Sequence, residues 1–181
     1  SLQNSVSAFK TKKQNVNSIR ILGHIHIYYL DVFTDIIWPR VKELANIDWL
    51  ITYSDEENFF KIKSILEDRA LDIVLCENRG RDVLPFLKIV KNHKFMGYSH
   101  VLKLHTKKSL HRADGKSWGV KQISTLCRFS DIRYICNLML KNNIGLLGIS
   151  SDLNSHTFYS EKNRTLFNYF ATLIGVDIQS I

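Results

Sequence analysis

Short β-rich apolar runs alternate with stretches of helical period along this chain, and that alternation restricts its fold more than any other feature. Ile19 to Tyr29 (IRILGHIHIYY) reads as a strand buried on both faces, and Ile47 to Tyr53 (IDWLITY), Leu71 to Cys76 and His100 to Leu104 read as further strands. Asp31 offers an N-cap to a helix in which Phe33, Ile36, Ile37, Val41 and Leu44 recur at helical spacing, and Pro39 predicts a break near Trp38. Ser54, with Glu57 three residues on, forms a capping box that predicts a helix to about Arg69. Val83 to about His93 predicts another, with Asp82 as its N-cap and Pro85 in the first turn, where a missing N–H costs little. Beyond a polar loop from Leu110 to Ser117, helical spacing runs from Trp118 to Met139, divided near Ser130-Asp131 with Asp131 as a cap. Ile144 to Ile149 (IGLLGI) is expected as a fifth strand, and Glu161 to Ile174 as a last helix. Strand and helix in turn predict an α/β fold, a mostly parallel sheet with helices on both faces.

Residues 1–18, rich in Ser, Asn, Gln and Lys, are expected to be poorly ordered or extended, with one α/β domain over 19–181. The missing initiating Met fits a fragment of a longer chain. Cys76, Cys127 and Cys136 are odd in number and lie in apolar surroundings, which suits buried thiols and not a disulfide framework or a zinc site. Neither a membrane span nor a signal peptide is visible, so a cytoplasmic protein is expected, with peripheral association at the inner face of the membrane left open. The formal net charge of +8 favours anionic partners without choosing among them.

Two charged clusters each follow directly on an apolar run: Asn78-Arg79-Gly80-Arg81-Asp82 and His105-Thr106-Lys107-Lys108. In open α/β sheets, ligands bind outside the carboxyl ends of the strands, where both clusters would emerge. Gly80 permits a left-handed turn or close backbone approach. Arg79 and Arg81 bring planar donors that match phosphate or carboxylate. Asn78 and Asp82 can bind sugar hydroxyls or fix the turn, and capping is the simpler role for Asp82. Lys107 and Lys108 add ammonium groups at the next strand end, and His111, Arg112, Lys116 and Lys121 continue the basic concentration. His24 and His26 point the same way on the first strand and lack a third ligand, so a buried, satisfied pair is expected and not a metal site. Phosphate-loop, dinucleotide and serine- or zinc-hydrolase signatures are absent.

The residues ENRGRDVLPFL (Glu77 to Leu87) and VLKLHTKKS (Val101 to Ser109), with Trp118 after a short loop and NNIGLLGIS (Asn142 to Ser150), resemble the rhamnan synthesis protein F family. The resemblance spans roughly residues 19 to 175 and implies a role in bacterial cell-surface polysaccharide, lipopolysaccharide or O-antigen biosynthesis. The order of elements is also similar to GT-A-type, Rossmann-like nucleotide-sugar glycosyltransferases. That likeness would put Tyr28, Ser54 and Asp55 near the nucleoside, and Asn78 and Asp82 at the sugar. Gly80 would stand in the third-strand turn. Arg79, Arg81, Lys107 and Lys108 would then hold the diphosphate, with His105 and Thr106 where such enzymes carry a metal-binding Asp-x-Asp. His, Thr and Lys in place of carboxylates imply a site without metal or other cofactor, in which fixed cations neutralise the departing diphosphate.

The expected donor is a nucleotide sugar, dTDP-rhamnose by resemblance, and the expected acceptor a polysaccharide or lipid-linked saccharide. A catalytic base is not identified; His111, Asp114 and Asp152 are candidates through their predicted loops alone. A non-catalytic module of a polysaccharide-assembly system is the alternative. A nucleic-acid-binding domain stands well behind, because no such motif occurs and aromatics are not interleaved with the basic cluster.

Overall fold

The computed structural model describes residues 19–91, 97–108, 120, 123, 124, 127 and 132–147. The expected N-terminal segment 1–18, most of the helix expected from Trp118 to about Ser130, the Asp131 cap and everything expected after residue 147 lie outside the described residues.

The strands are β1 (Ile21–Ile27), β2 (Ile47–Tyr53), β3 (Ala70–Leu75) and β4 (His100–His105). They form one sheet in the order β3-β2-β1-β4, and every pairing is parallel. Parallel strands need a crossover, and here helices supply it. The helices are α1 (Leu30–Val32), continued through a π-helical turn (Phe33–Ile37) into α2 (Trp38–Val41), then α3 (Phe59–Leu66), α4 (Val83–Lys91) and α5 (Ile132–Lys141).

The first two crossovers step outward in one direction, and α1, α2 and α3 pack on one face of the sheet. The third returns past β1 to β4, so a right-handed crossover carries α4 to the opposite face. Ile21, Ile25 and Ile27 of β1 bury against the first face with Phe33, Ile37, Trp38, Ile62 and Leu66. The other face holds a smaller apolar cluster of Leu22, Leu50 and Ile89 with Tyr98 packed on it.

Local details follow from side-chain chemistry. The break expected near Trp38 takes the form of the π-helical turn just before Pro39. Pro39 cannot donate to the preceding turn and its ring crowds the carbonyl four residues back, so the helix widens. In the turn that follows, Arg40 Nη1 donates to Ile36 O at 2.7 Å. Ser54 does not cap the next helix. Asp55 does, its Oδ1 accepting from the Glu57 N–H at 3.2 Å and its Oδ2 from Asn58 Nδ2 at 2.8 Å, and the helix opens with a 3-10 turn over Glu56–Asn58. A carboxylate is the stronger acceptor at a helix start, which explains the shift by one residue. That helix ends at Leu66, short of the expected Arg69, because Glu67 turns left-handed with φ 52°.

Ile144 to Leu147 is not a strand. Asn143 is left-handed with φ 53°, and Ile144 N–H donates back to Met139 O at 2.8 Å. That bond closes a Schellman-type helix end, which directs the backbone onto α5 and away from a ladder.

Gly23 is the tightest point of the sheet. A Cβ there would lie 2.3 Å from Trp49 Cε3 and 2.7 Å from Ile47 Cγ2. Trp49 of β2 therefore lies across the bare backbone of β1, in T-shaped contact with Trp38 at 6.2 Å between ring centroids. Gly23→Ala is expected to destabilise the fold by about 1–3 kcal/mol through overpacking. Urea denaturation of the two proteins checks this, and equal midpoints would show that the indole is free to move aside.

Candidate functional site

The strand order reverses between β1 and β4, and open parallel sheets take ligands at the carboxyl end of such a switch point. Tyr28 and Tyr29 follow β1 at that edge, and Thr106, Lys107 and Lys108 follow β4. One hydrogen-bond centre ties the two strands: Thr106 Oγ1 accepts from the N–H groups of Tyr28 at 2.8 Å and Tyr29 at 2.9 Å. Thr106 N–H in turn donates to His26 O at 3.0 Å. Thr106 is buried, and its hydroxyl is engaged in holding the two strand ends together.

The segment after β3 travels over this edge. Asn78 Nδ2 donates to Tyr28 Oη at 3.4 Å, which brings the third-strand turn to the end of β1. Gly80 and Arg81 are both left-handed, with φ 65° and 53°. Gly80 also lies against Leu84, whose Cβ would be 2.6 Å from any Cβ at Gly80, so a glycine is needed there twice over. Arg79 and Arg81 are exposed and enter no ion pair among the described residues. Asp82 then turns its carboxylate to β4. It pairs with Lys103 Nζ, and its Oδ2 lies 3.6 Å from His105 Nδ1. The two charged clusters, well separated in sequence, meet at this carboxylate.

Lys108 does not stand free. Its ammonium pairs with Asp31 Oδ2 at 2.6 Å and sits 4.9 Å from the centre of the Tyr29 ring. The hydrogen bond from Lys108 is the main cause that holds the Asp31 carboxyl below its ordinary range. Ser54 and Asp55 occupy the end of β2, where Asp55 caps its helix and the Ser54 hydroxyl is buried without a partner. His111, Asp114 and Asp152 lie outside the described residues.

Beneath this edge, on the face covered by α4, lies a polar layer. His24 and His26 of β1 pair in register with Lys103 and His105 of β4. Thr52 of β2 sits between the buried histidines, its Oγ1 2.9 Å from His24 Nε2 and 2.9 Å from His26 Nδ1. One hydroxyl can donate to one ring and accept from the other, which suits two neutral imidazoles. Burial pushes His24 down to about 3, with the Lys103 charge adding to it. Burial likewise lowers His26 to about 4, against the opposing pull of Asp82. His24 Nδ1 is buried and unpartnered, and the Phe86 ring of α4 lies over the imidazole at 5.7 Å.

For Asp82, burial alone raises the carboxyl, yet the Lys103 hydrogen bond and the charges of His105 and Lys103 together bring it below its ordinary value. Among the described residues, no group of three or more His, Cys, Asp or Glu side chains could hold a metal ion, and no helix is long and apolar enough to cross a membrane. Sequence reasoning missed Lys103 and Thr52 as members of this layer. Lys103 carries the readable signal, a lysine inside an apolar strand that must find a carboxylate.

Comparison with known proteins was then decisive for kinship. The family described as rhamnan synthesis protein F matches over residues 2–172. The chain belongs to this family. The uncharacterised protein WxcX of Xanthomonas campestris pv. campestris is 28% identical over 156 residues, which covers 84% of this chain and 22% of WxcX. The protein of the same name from a second strain matches with the same identity and coverage. The chain thus spans about a fifth of the length of these relatives. No solved structure matches it. Its motifs therefore belong to a rhamnan synthesis protein F domain with an all-parallel sheet, and the family description ties it to polysaccharide synthesis.

The neutral layer fixes an acid sensitivity. His24 and His26 have folded values below the ordinary 6.5, so their contribution is fully present above pH 6.5. As pH falls from there toward about 4 and about 3, the unfolded chain takes up protons that the native state refuses, and stability is lost. His100 and His105 are also lowered, chiefly by burial, and act in the same direction. The free energy of unfolding, from denaturation curves between pH 7 and pH 4.5, is expected to fall by on the order of 2 kcal/mol per pH unit, and replacing His24 and His26 together with Gln to flatten the slope. A flat profile in the parent protein would show these imidazoles to be protonated in the fold.

Proposed function

We propose that this domain binds a nucleoside diphosphate sugar at the carboxyl edge between β1 and β4 and transfers the sugar to a growing polysaccharide or lipid-linked acceptor. The observation that carries the reading is the convergence of Tyr28, the left-handed Gly80-Arg81 turn and the β4 end on the switch point of a parallel sheet. Switch points are where such sheets take nucleotides. The exposed ring of Tyr28 offers a stacking surface for a base. Arg79 and Arg81 offer bidentate donors to the diphosphate.

In this reading the cations stand in for a metal. Lys108 contributes little, because Asp31 already neutralises it. The arginines carry most of the charge, and Gly80 lets the diphosphate approach the backbone. The donor is dTDP-rhamnose by analogy with the family's description, and the working place is the cytoplasmic face of the membrane, where lipid-linked acceptors are found.

The Lys108–Asp31 pair also favours a second reading, a donor-binding module without turnover, since it removes one of the expected cations. Titration calorimetry with dTDP, dTDP-rhamnose and UDP separates binding from its absence. Arg79→Ala and Arg81→Ala are each expected to weaken dTDP by roughly tenfold or more, the value of a charge-assisted contact, and EDTA to change nothing. Undiminished affinity in the double variant would remove the diphosphate from these arginines.

A further inference from the structure

We propose that His105 is the general base of this site and that Asp82 is the residue that positions it. The inference rests on the sugar-transfer reading above and adds the group that the sequence does not reveal.

Three observations carry it. His105 ends β4 at the carboxyl edge of the sheet, and its side chain is 36% exposed, so the ring reaches solvent. Its Nδ1 faces Asp82 Oδ2 at 3.6 Å, and its Nε2 has no hydrogen-bond partner among the described residues. Asp82 is itself held, because Lys103 Nζ grips the same oxygen. A carboxylate fixed from one side orients an imidazole on the other, which is the arrangement that general-base histidines require.

The tautomer decides what the ring can do. The carboxylate stands on the Nδ1 side at 3.6 Å, so we assign the proton to Nδ1 and a lone pair to Nε2. A lone pair repels a phosphate oxygen and accepts a hydroxyl proton. His105 therefore suits the acceptor better than the diphosphate. Burial keeps its pKa below the ordinary value, with Asp82 raising it and Lys103 and Lys107 lowering it further. The remaining groups on this side, His24 and His26 of β1 with Thr52 of β2, are neutral and leave that balance unchanged. The ring is thus uncharged at pH 7 and able to take a proton.

The step balances without a further reagent. The acceptor hydroxyl oxygen forms its bond to the anomeric carbon while its proton passes to His105 Nε2. The bond from the anomeric carbon to the diphosphate breaks, and the nucleoside diphosphate leaves with the electron pair. The imidazolium then returns the proton to water. Where the acceptor is water, the products are free sugar and nucleoside diphosphate.

The test uses the full chain with dTDP-rhamnose as donor and water as acceptor, reading dTDP release across pH 5 to 9, with dTDP affinity measured in parallel. His105→Gln is expected to lose about 100-fold or more in release while its dTDP affinity is unchanged. Asp82→Asn is expected to lower the rate and to move the acidic limb of the pH profile to lower pH, because it removes the group that raises the His105 pKa. A Gln variant that loses dTDP affinity shows a phosphate ligand and overturns the inference. A variant that keeps full release also overturns it, as does a parent protein that binds donor but releases no dTDP. In each of these cases donor binding by the parent leaves the wider reading standing. A parent protein that does not bind dTDP or dTDP-rhamnose overturns both. Long-range proton–nitrogen spectra of the parent protein guard against a misfolded variant: the proton is expected on Nδ1 of His105 at pH 7, and the opposite tautomer or a doubly protonated ring refutes the base.

Discussion

β1 is buried on both faces, and only one of those faces is apolar. The isoleucines on the first side need nothing beyond dispersion and dehydration. His24 and His26 on the second side bring four ring nitrogens into the interior, and each unpaired one costs on the order of 1–3 kcal/mol. Thr52 answers two of them, and His24 Nδ1 remains unanswered. A central strand with an interior polar face then forces its neighbours to be polar at the same level. Lys103 and His105 stand in register with the two histidines, and Asp82 descends from the start of α4 to compensate them. The second core is small because this layer occupies the space that apolar side chains would otherwise fill.

The same constraint shapes the edge of the sheet. Asp82 can reach Lys103 only if the chain leaving β3 passes above the ends of β2 and β1 before α4 begins. Gly80 and Arg81 make that passage by turning left-handed in succession. Glycine does so freely, whereas arginine pays about 1 kcal/mol or more, which the ion pair and the seating of Gly80 on Leu84 offset. The partly buried carboxylate and the exposed guanidinium groups are thus two ends of one turn.

Much of this was legible in the sequence, and what was not has a common cause. β2 appears over the expected residues, and the clusters at Asn78 and His105 do lie at carboxyl ends, because apolar runs and glycine positions are local signals. The shift of the cap from Ser54 to Asp55 is a competition between adjacent acceptors that spacing alone does not rank. The expected strand after Asn143 fails because β-propensity in a short apolar run cannot announce a helix end that folds back on Met139. Thr106, Lys103 and Lys108 reveal their roles only through partners far away in sequence: the backbone of Tyr28 and Tyr29, Asp82, and Asp31. A hydroxyl that braces two strands and a hydroxyl that binds a ligand look the same in one dimension.

The electrostatics then divide the site into two zones. At the rim stand Arg79 and Arg81, with charge that solvent screens but does not cancel. Beneath them the layer is close to neutral, since Lys103 is matched by Asp82 and the imidazoles are held uncharged by burial and by the nearby ammonium. Charging His24 or His26 would place a cation near Lys103 at a buried position, where repulsion is stronger than in water. Removing the Asp82 carboxylate would leave Lys103 uncompensated beneath the rim. The positive rim can exist over a partly buried lysine because one carboxylate absorbs its charge, and that leaves the rim's own charge facing solvent.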